Sequence, residues 1–434
     1  MKLVCSILAA GLGAAHDPLG PGASSTWTLT DPSEVGLSAS ALIAATAEVG
    51  TVGTHYCLAV VKNGALVVNK NYATRFTGGR PRKMESMSAA KTVTSIVLGH
   101  AMQAGLVDLD VPLIQYGVTP LGANWSNNPN GTDFFPNVTA RHLLAQASGV
   151  GRYAPGTALT YDSDNYIQHL SFLVNATASA TLNMTARAFA AAFAAKLGLP
   201  SLYAWEGADP AARGDTPTAA DGGAATQFSA GGDQPMTCVD MARFGQLVLN
   251  DGAWRAADGK SVAQLLSREY VAELFTPQDT KVERYADDNV CVGTDAGMMC
   301  DEYSLLATVT VNNSKLVNES ACDTANSGSV RVLGLPDKSV LALGSMGKYL
   351  VVVPEENLTF VSFGSHVAKF PDCAKRAGGT WASEEGIILS AIWRALGNAT
   401  RPGHGRAQPA AAALALPAAR ARAAPSPPGA PTGR

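Results

Sequence analysis

Ser88 and Lys91 are the residues best placed to do chemistry in this chain. They stand in Met84-Glu85-Ser86-Met87-Ser88-Ala89-Ala90-Lys91-Thr92-Val93-Thr94-Ser95-Ile96-Val97-Leu98. From Ser88 onward the segment reads as a helix, with apolar residues at Val93, Ile96, Val97 and Ala101 and no Pro or Gly before Gly99. A spacing of three puts Ser88 and Lys91 on one helical face, a turn apart. A lysine so placed can take the serine proton when burial or a neighbouring cation lowers its pKa. A serine in the first turn also lies where the helix dipole and free backbone N–H groups favour negative charge. This is a route to a serine nucleophile without a catalytic histidine.

The pattern alone is cheap, since Ser-x-x-Lys should occur about once or twice by accident in a chain of this size. A second match, Ser345-Met346-Gly347-Lys348, leads into Tyr349-Leu350-Val351-Val352-Val353, read as a strand. Side chains three apart on a strand point to opposite faces, so that pair cannot cooperate. Context favours Ser88 and Lys91.

The elements that must position this pair are legible on both sides of it. Cys57 to Val68 reads as a hairpin about an Asn63-Gly64 turn. Residues from about 100 to 290 are Ala-rich and mostly helical in pattern. Within them, Thr237 can cap a helix carrying Met241, Phe244, Leu247 and Val248 on one side and ending near Asn250-Asp251-Gly252. Lys348–Val353 and Leu358–Phe363 flank Pro354-Glu355-Glu356-Asn357 as a second hairpin. Ser383 can cap a final helix, Glu384–Leu396. Strands near both ends and helices between them predict an α/β (α+β) fold: one antiparallel sheet built from both ends of the chain, flanked by helices, with an inserted all-α domain.

The chain has 434 residues, 47% of them hydrophobic, and a formal charge of −3. That supports a large core. The near-neutral balance argues against nucleic acid as the main partner. No apolar stretch reaches the roughly 18 residues of a membrane span. Residues 1–15 read as a secretory signal: Lys2, the apolar run Leu3–Leu12, then Gly13-Ala14-Ala15. A short buried strand or helix is the other reading of that run. Of the seven cysteines, Cys5 would leave with the signal. Cys57, Cys238, Cys291, Cys300, Cys322 and Cys373 remain, an even number that suits an oxidising compartment and permits about 15 pairings. Asn-x-Ser/Thr occurs at Asn124, Asn130, Asn137, Asn175, Asn183, Asn312, Asn318, Asn357 and Asn398. Together these features point to a secreted or secretory-lumen glycoprotein. Residues 16–36 read as a Gly/Pro/Ser-rich lead-in, 37–400 as the main domain, 291–330 as a Cys-containing loop running over the surface, and 401–434 as a disordered Ala/Pro/Arg tail.

A serine hydrolase also needs a second proton handler and an oxyanion hole. Tyr161 follows a Pro155-Gly156 turn, and Gly344-Ser345-Met346-Gly347-Lys348-Tyr349 opens the late strand. With these stretches the chain resembles the serine β-lactamase and penicillin-binding-protein superfamily, in its class C-related, esterase and 6-aminohexanoate-dimer hydrolase-like branch. Leu106-Val107-Asp108-Leu109-Asp110-Val111-Pro112, Arg141-His142-Leu143-Leu144-Ala145-Gln146-Ala147-Ser148-Gly149 and Asp240-Met241-Ala242-Arg243-Phe244-Gly245-Gln246-Leu247 carry the same likeness, over roughly residues 37–400. The resemblance implies that Ser88 is acylated, that Lys91 accepts or relays its proton, and that Tyr161 acts as general base and acid. It implies an oxyanion hole from the N–H groups of Ser88 and Lys348, the Lys348 side chain being solvated.

Two departures from the family pattern stand out. Ser163 takes the place of the Asn in Tyr-x-Asn, with Asn165 two residues on. Ser345-Met346-Gly347 takes the place of Lys-Thr-Gly or His-x-Gly, so the group that holds a substrate carboxylate is missing there. This favours a small ester or amide as substrate over a β-lactam or a D-amino-acid peptide. A non-catalytic protein that keeps the fold and cleft is the rival from another class. His142 reads as a packing residue. No metal-ligand spacing, phosphate-binding loop or Gly-x-Ser-x-Gly elbow occurs, so no cofactor or metal is expected. Oligomeric state is not encoded in any motif.

Overall fold

The computed structural model describes residues 19–24, 26–52, 54–74, 77–120, 131–149, 153–159, 161, 166–200, 202, 226–232, 234–278, 303–310, 332–365 and 381–400. The signal, the tail, and Cys291, Cys300, Cys322 and Cys373 lie outside these residues.

The centre is a six-stranded antiparallel sheet in the order β2-β1-β10-β9-β8-β7. Its strands are β1 (Thr54–Lys62), β2 (Ala65–Asn71), β7 (Thr308–Val309), β8 (Val340–Gly344), β9 (Lys348–Val353) and β10 (Leu358–Ser365). The β1–β2 turn carries positive φ at both Asn63 and Gly64, as a type I′ turn requires. The β9–β10 hairpin turns through a 3-10 helix, Pro354–Glu356, with Asn357 left-handed at φ 43°. The sheet is thus closed by pairing β1 with β10, one strand from each end of the chain.

Each face of the sheet carries helices. On one, Phe360 of β10 stacks on Trp393 of α8 (Trp381–Thr400), with ring centroids 6.3 Å apart. Helix α1 (Ala39–Val52) packs beside α8. On the other face lies α6 (Cys238–Leu249), capped by Thr237 in a reciprocal pair with Asp240. Close approach there depends on Gly245: a Cβ at that position would stand 2.5 Å from Thr359 Cγ2 and 2.8 Å from Leu350 Cδ1. Helix α2 (Ala90–Gln103), which packs against β8, is buried on every side from Ala90 to Ala101. A helix buried all round must satisfy its polar side chains internally. Thr92 donates to Leu306 O (2.7 Å), Thr94 to Ala230 O (3.0 Å), and Ser95 pairs with Tyr270 OH (2.7 Å). Helices α3 (Ala140–Leu144), α4 (His169–Leu182), α5 (Ala186–Lys196) and α7 (Arg268–Leu274) complete the described helical part.

The structure corrects several expectations. Ser383 does not cap the last helix, because that helix already begins at Trp381. Ser345 sits in the β8–β9 turn, not on a strand. The helical middle also contains strand β4 (Pro235–Met236), paired with β3 (Met84–Glu85), and the ladder β5 (Ala253–Arg255)–β6 (Val262–Gln264). Residues 303–310, expected within a surface excursion, are buried. Leu306 N donates to Leu144 O, and β7 forms the sheet edge beside β8. Among the described residues no helix is long and apolar enough to cross a membrane.

A disulfide joins Cys57 of β1 to Cys238 at the start of α6, across 181 residues of sequence. Cross-linking so distant a pair removes many unfolded conformations. Replacing both cysteines by alanine should lower unfolding free energy by roughly 2–5 kcal/mol, read from denaturant unfolding under non-reducing conditions. An unchanged midpoint would refute this.

Candidate active site

Ser88 is the middle residue of a 3-10 turn, Met87–Ala89, that runs directly into α2. The residue before it, Met87, is left-handed at φ 50°. A side chain larger than glycine adopts that conformation at a cost. Here it turns the chain sharply out of β3 and into α2. The turn is tied down from behind: Ser86 donates through both N (3.3 Å) and Oγ (2.8 Å) to Gln234 O. Ser88 itself stays half-buried.

Lys91 is only 1% exposed. An ammonium removed from water must find acceptors. Its Nζ donates to Ser88 Oγ (3.1 Å) and to Gly231 O (2.6 Å) and lies 4.7 Å from the centroid of the Tyr161 ring. The structure therefore brings Ser88, Lys91 and Tyr161 together. Ser163 and Asn165 lie outside the described residues.

Tyr303, a neighbour of Tyr161, is buried. Burial pushes its phenol well up, the neighbouring Tyr161 adds to this, and a hydrogen bond with Gln146 opposes it. Tyr303 is thus held neutral. Gln146 is left-handed at φ 55° and buried, at the end of the stretch that follows α3. His142 serves as a cap partner at the start of α3: Thr139 N donates to its Nδ1 (3.2 Å) and His142 N donates to Thr139 Oγ1 (3.3 Å). Burial lowers its pKa.

The β8–β9 turn closes the other side of the site. A Cβ at Gly344 would lie 2.5 Å from Ser86 O and 2.9 Å from Ala89 N. Both are backbone atoms that cannot swing aside, so only glycine lets β8 approach the serine turn this closely. Ser345, Met346 and Gly347 follow, with Met346 and Gly347 both left-handed at φ 62° and 71°. Lys348 starts β9, paired with Gly344 across the hairpin and with Phe363 of β10. Gly364 N donates to Gly347 O (2.8 Å). Antiparallel alternation then directs the Lys348 N–H toward β8, into the hairpin pair with Gly344.

The Lys348 side chain departs from expectation. It is 3% exposed rather than solvated. Its Nζ donates to Met346 O (2.9 Å) and Gly364 O (2.5 Å) and sits 5.6 Å from the Tyr56 ring centroid.

Sequence reasoning did not single out Gly231, Met87, Tyr303 or Gln146. Gly231 contributes only a carbonyl, and any residue type can do that. The Gly231-Gly232 pair was the one available signal. Replacing Gly344 by alanine should cost about 1–3 kcal/mol of stability by overpacking. Denaturant unfolding checks it; a variant as stable as the parent would show that the two turns can part without cost.

The sequence model of the Beta-lactamase family matches residues 41–372. A comparison with curated proteins gives no match. Among solved structures, a protein of Bacteroides dorei DSM 17855 assigned as a beta-lactamase is 15% identical, with 84% of this chain and 99% of that one covered, at a TM-score of 0.53. EstCE1, described as a hydrolase with promiscuous acyltransferase activity, is 12% identical, with 82% and 100% covered, at a TM-score of 0.52. These likenesses show a common fold, and the family match extends over most of the sequence, from within α1 to beyond β10 and across every residue of the site. The chain belongs to the Beta-lactamase family, a family of hydrolases.

Proposed function

We propose that the protein is a secreted serine hydrolase that cleaves a small ester or amide through an acyl-enzyme on Ser88. The observation that carries this reading is the Lys91 ammonium, buried, bonded to Ser88 Oγ at 3.1 Å and lying against the Tyr161 ring. A cation in that place favours charge on the serine oxygen as its proton leaves. Tyr161, standing as the phenolate that this cation favours, takes the proton, directly or by a relay in which Lys91 gives its own proton to Tyr161 and takes that of Ser88. Ser88 Oγ then bonds to the substrate carbonyl carbon. The N–H group of Ser88 receives the oxyanion. As the leaving group departs, Tyr161 returns the proton to it. Water repeats the sequence on the acyl-enzyme, with the same two proton handlers, and frees Ser88.

The turn at Ser345-Met346-Gly347 supports an ester or amide without a recognised carboxylate. It bears no cationic side chain, and Lys348, next in sequence, donates to the carbonyls of Met346 and Gly364.

A fluorophosphonate probe with adduct mapping by mass spectrometry should label Ser88. Ser88→Ala should keep its fold and lose at least about a thousandfold in turnover of an activated ester. Full activity in purified Ser88→Ala would remove the assignment. No adduct on folded protein would favour the non-catalytic binding protein. Turnover confined to a chromogenic cephalosporin would favour a β-lactamase.

Secretion carries its own test. Asn137, Asn183, Asn357 and Asn398 are exposed. Asn175 is half-buried, and its Oδ1 accepts from Ala186 N (3.1 Å) between α4 and α5. Glycopeptide mapping of protein from a eukaryotic secretory host should find glycan on the exposed group and none on Asn175. Occupancy at Asn175, or none at the other four, would count against this.

A further inference from the structure

We infer that the buried Lys348 side chain is a positioning residue: its ammonium clamps the β8–β9 turn in the conformation that seats β8 against the serine turn. This inference rests on the Ser88 reading and adds a residue to it.

Three observations converge. The turn carries strain at Met346, a left-handed residue with a side chain that precedes left-handed Gly347. A short turn with that backbone keeps one conformation only if its surroundings hold it. The turn also fixes the distance to the nucleophile, because Gly344 at its start is pressed against Ser86 O and Ala89 N. Finally, a buried cation is committed to this turn. Lys348 Cβ stands beside position 344, on the sheet face that meets the serine turn. From there the side chain runs back across β10. It donates to the carbonyl of Met346, the strained residue itself, and to that of Gly364. It ends 5.6 Å from the ring centroid of Tyr56, which sits at the bulge of β1.

A lysine is costly to bury, and carbonyls with an aromatic face are what make it tolerable. One ammonium therefore ties the turn to the ends of β10 and β1. Because the ammonium is aimed at carbonyls rather than at the cleft, it cannot hold a substrate carboxylate. It holds the turn by which β8 is seated against the serine turn. A displacement of the order of 1 Å in such a turn lowers rate by about a hundredfold without changing ground-state binding much.

The test compares wild type with Lys348→Met, which keeps the chain length and removes the charge, and with Lys348→Gln, which keeps a neutral N–H donor. Three quantities are read: the rate of fluorophosphonate labelling at Ser88, kcat and KM on an activated ester, and hydrogen exchange of residues 340–352. The expected result for Lys348→Met is labelling and kcat lower by roughly 10- to 100-fold with KM nearly unchanged. Exchange should rise at residues 344–348 while β1 and the rest of β10 stay protected. Lys348→Gln should fall between. If Lys348→Met does not fold, Lys348→Gln carries the same comparison. Wild-type labelling and unchanged exchange in a folded variant would overturn the inference. So would exchange rising over the whole sheet with kcat and KM both altered, since that is a general structural role. Should wild type take no phosphonate, the Ser88 reading fails by itself, and exchange at residues 344–348 still decides whether Lys348 clamps the turn.

Discussion

The site depends on keeping one ammonium, that of Lys91, out of water. A buried cation is tolerated only where acceptors are already in place, and here they come from distant parts of the chain. Ser88 Oγ supplies one, and the carbonyl of Gly231, 140 residues away in sequence, supplies another. That carbonyl must be held at a fixed distance from α2. Ala230 O next to it accepts from Thr94, Ala230 N donates to Gln168, and Gln234 O accepts from Ser86. The segment from Ala230 to Met236 is thereby sewn to the serine turn and to α2. It passes into α6, which the Cys57–Cys238 disulfide fastens to β1. Removing any one of these ties exposes the ammonium to fewer acceptors. The fold can therefore be read as the scaffold that one buried charge requires.

Close approach of backbones is the second constraint. Three elements meet at the serine: the Met87–Ala89 turn, the segment carrying Gly231, and the β8–β9 turn. Each contact uses main chain rather than side chain. Gly344 lets β8 touch the serine turn, and Gly245 lets α6 lie on β9 and β10. Backbone groups are rigid donors and acceptors, and their placement costs no rotamer entropy during reaction. The price is strain, carried by left-handed Met87 on one side of the serine and left-handed Met346 on the other.

What could be read in the sequence follows from this division. Elements defined by side-chain period and turn chemistry were legible: Asn63-Gly64 between β-rich runs, Thr237 with Asp240 three residues on, and the Pro354–Asn357 connection. Ser88 and Lys91 were legible because a helix fixes side chains three apart on one face. Gly231 was not, because its contribution is a carbonyl. Residues 303–310 were mistaken for surface because their polar side chains are satisfied inside: Ser304 by Leu274 O, and Thr310 by Pro336 O. Lys348 was misplaced for the same reason. Lysine is exposed in most settings, and nothing local announces that two carbonyls and a tyrosine will gather round it.

Lys91 and Lys348 then appear as one solution used twice. Each is buried, each donates to main-chain carbonyls, and each lies against a tyrosine ring: Tyr161 at 4.7 Å and Tyr56 at 5.6 Å to the centroid. They differ in the third kind of partner. Lys91 also meets a hydroxyl, Ser88, a group that can lose a proton. The described acceptors of Lys348 are carbonyls, which cannot. The same environment therefore gives two outcomes. Where the ammonium touches an ionisable oxygen it biases chemistry; where it touches main-chain carbonyls it fixes shape. The Ser-x-x-Lys pattern occurs at both places, and what separates them is the backbone beneath. A helical spacing of three turns Ser88 toward Lys91. A left-handed hairpin turn gives Lys348 the carbonyl of Met346 instead.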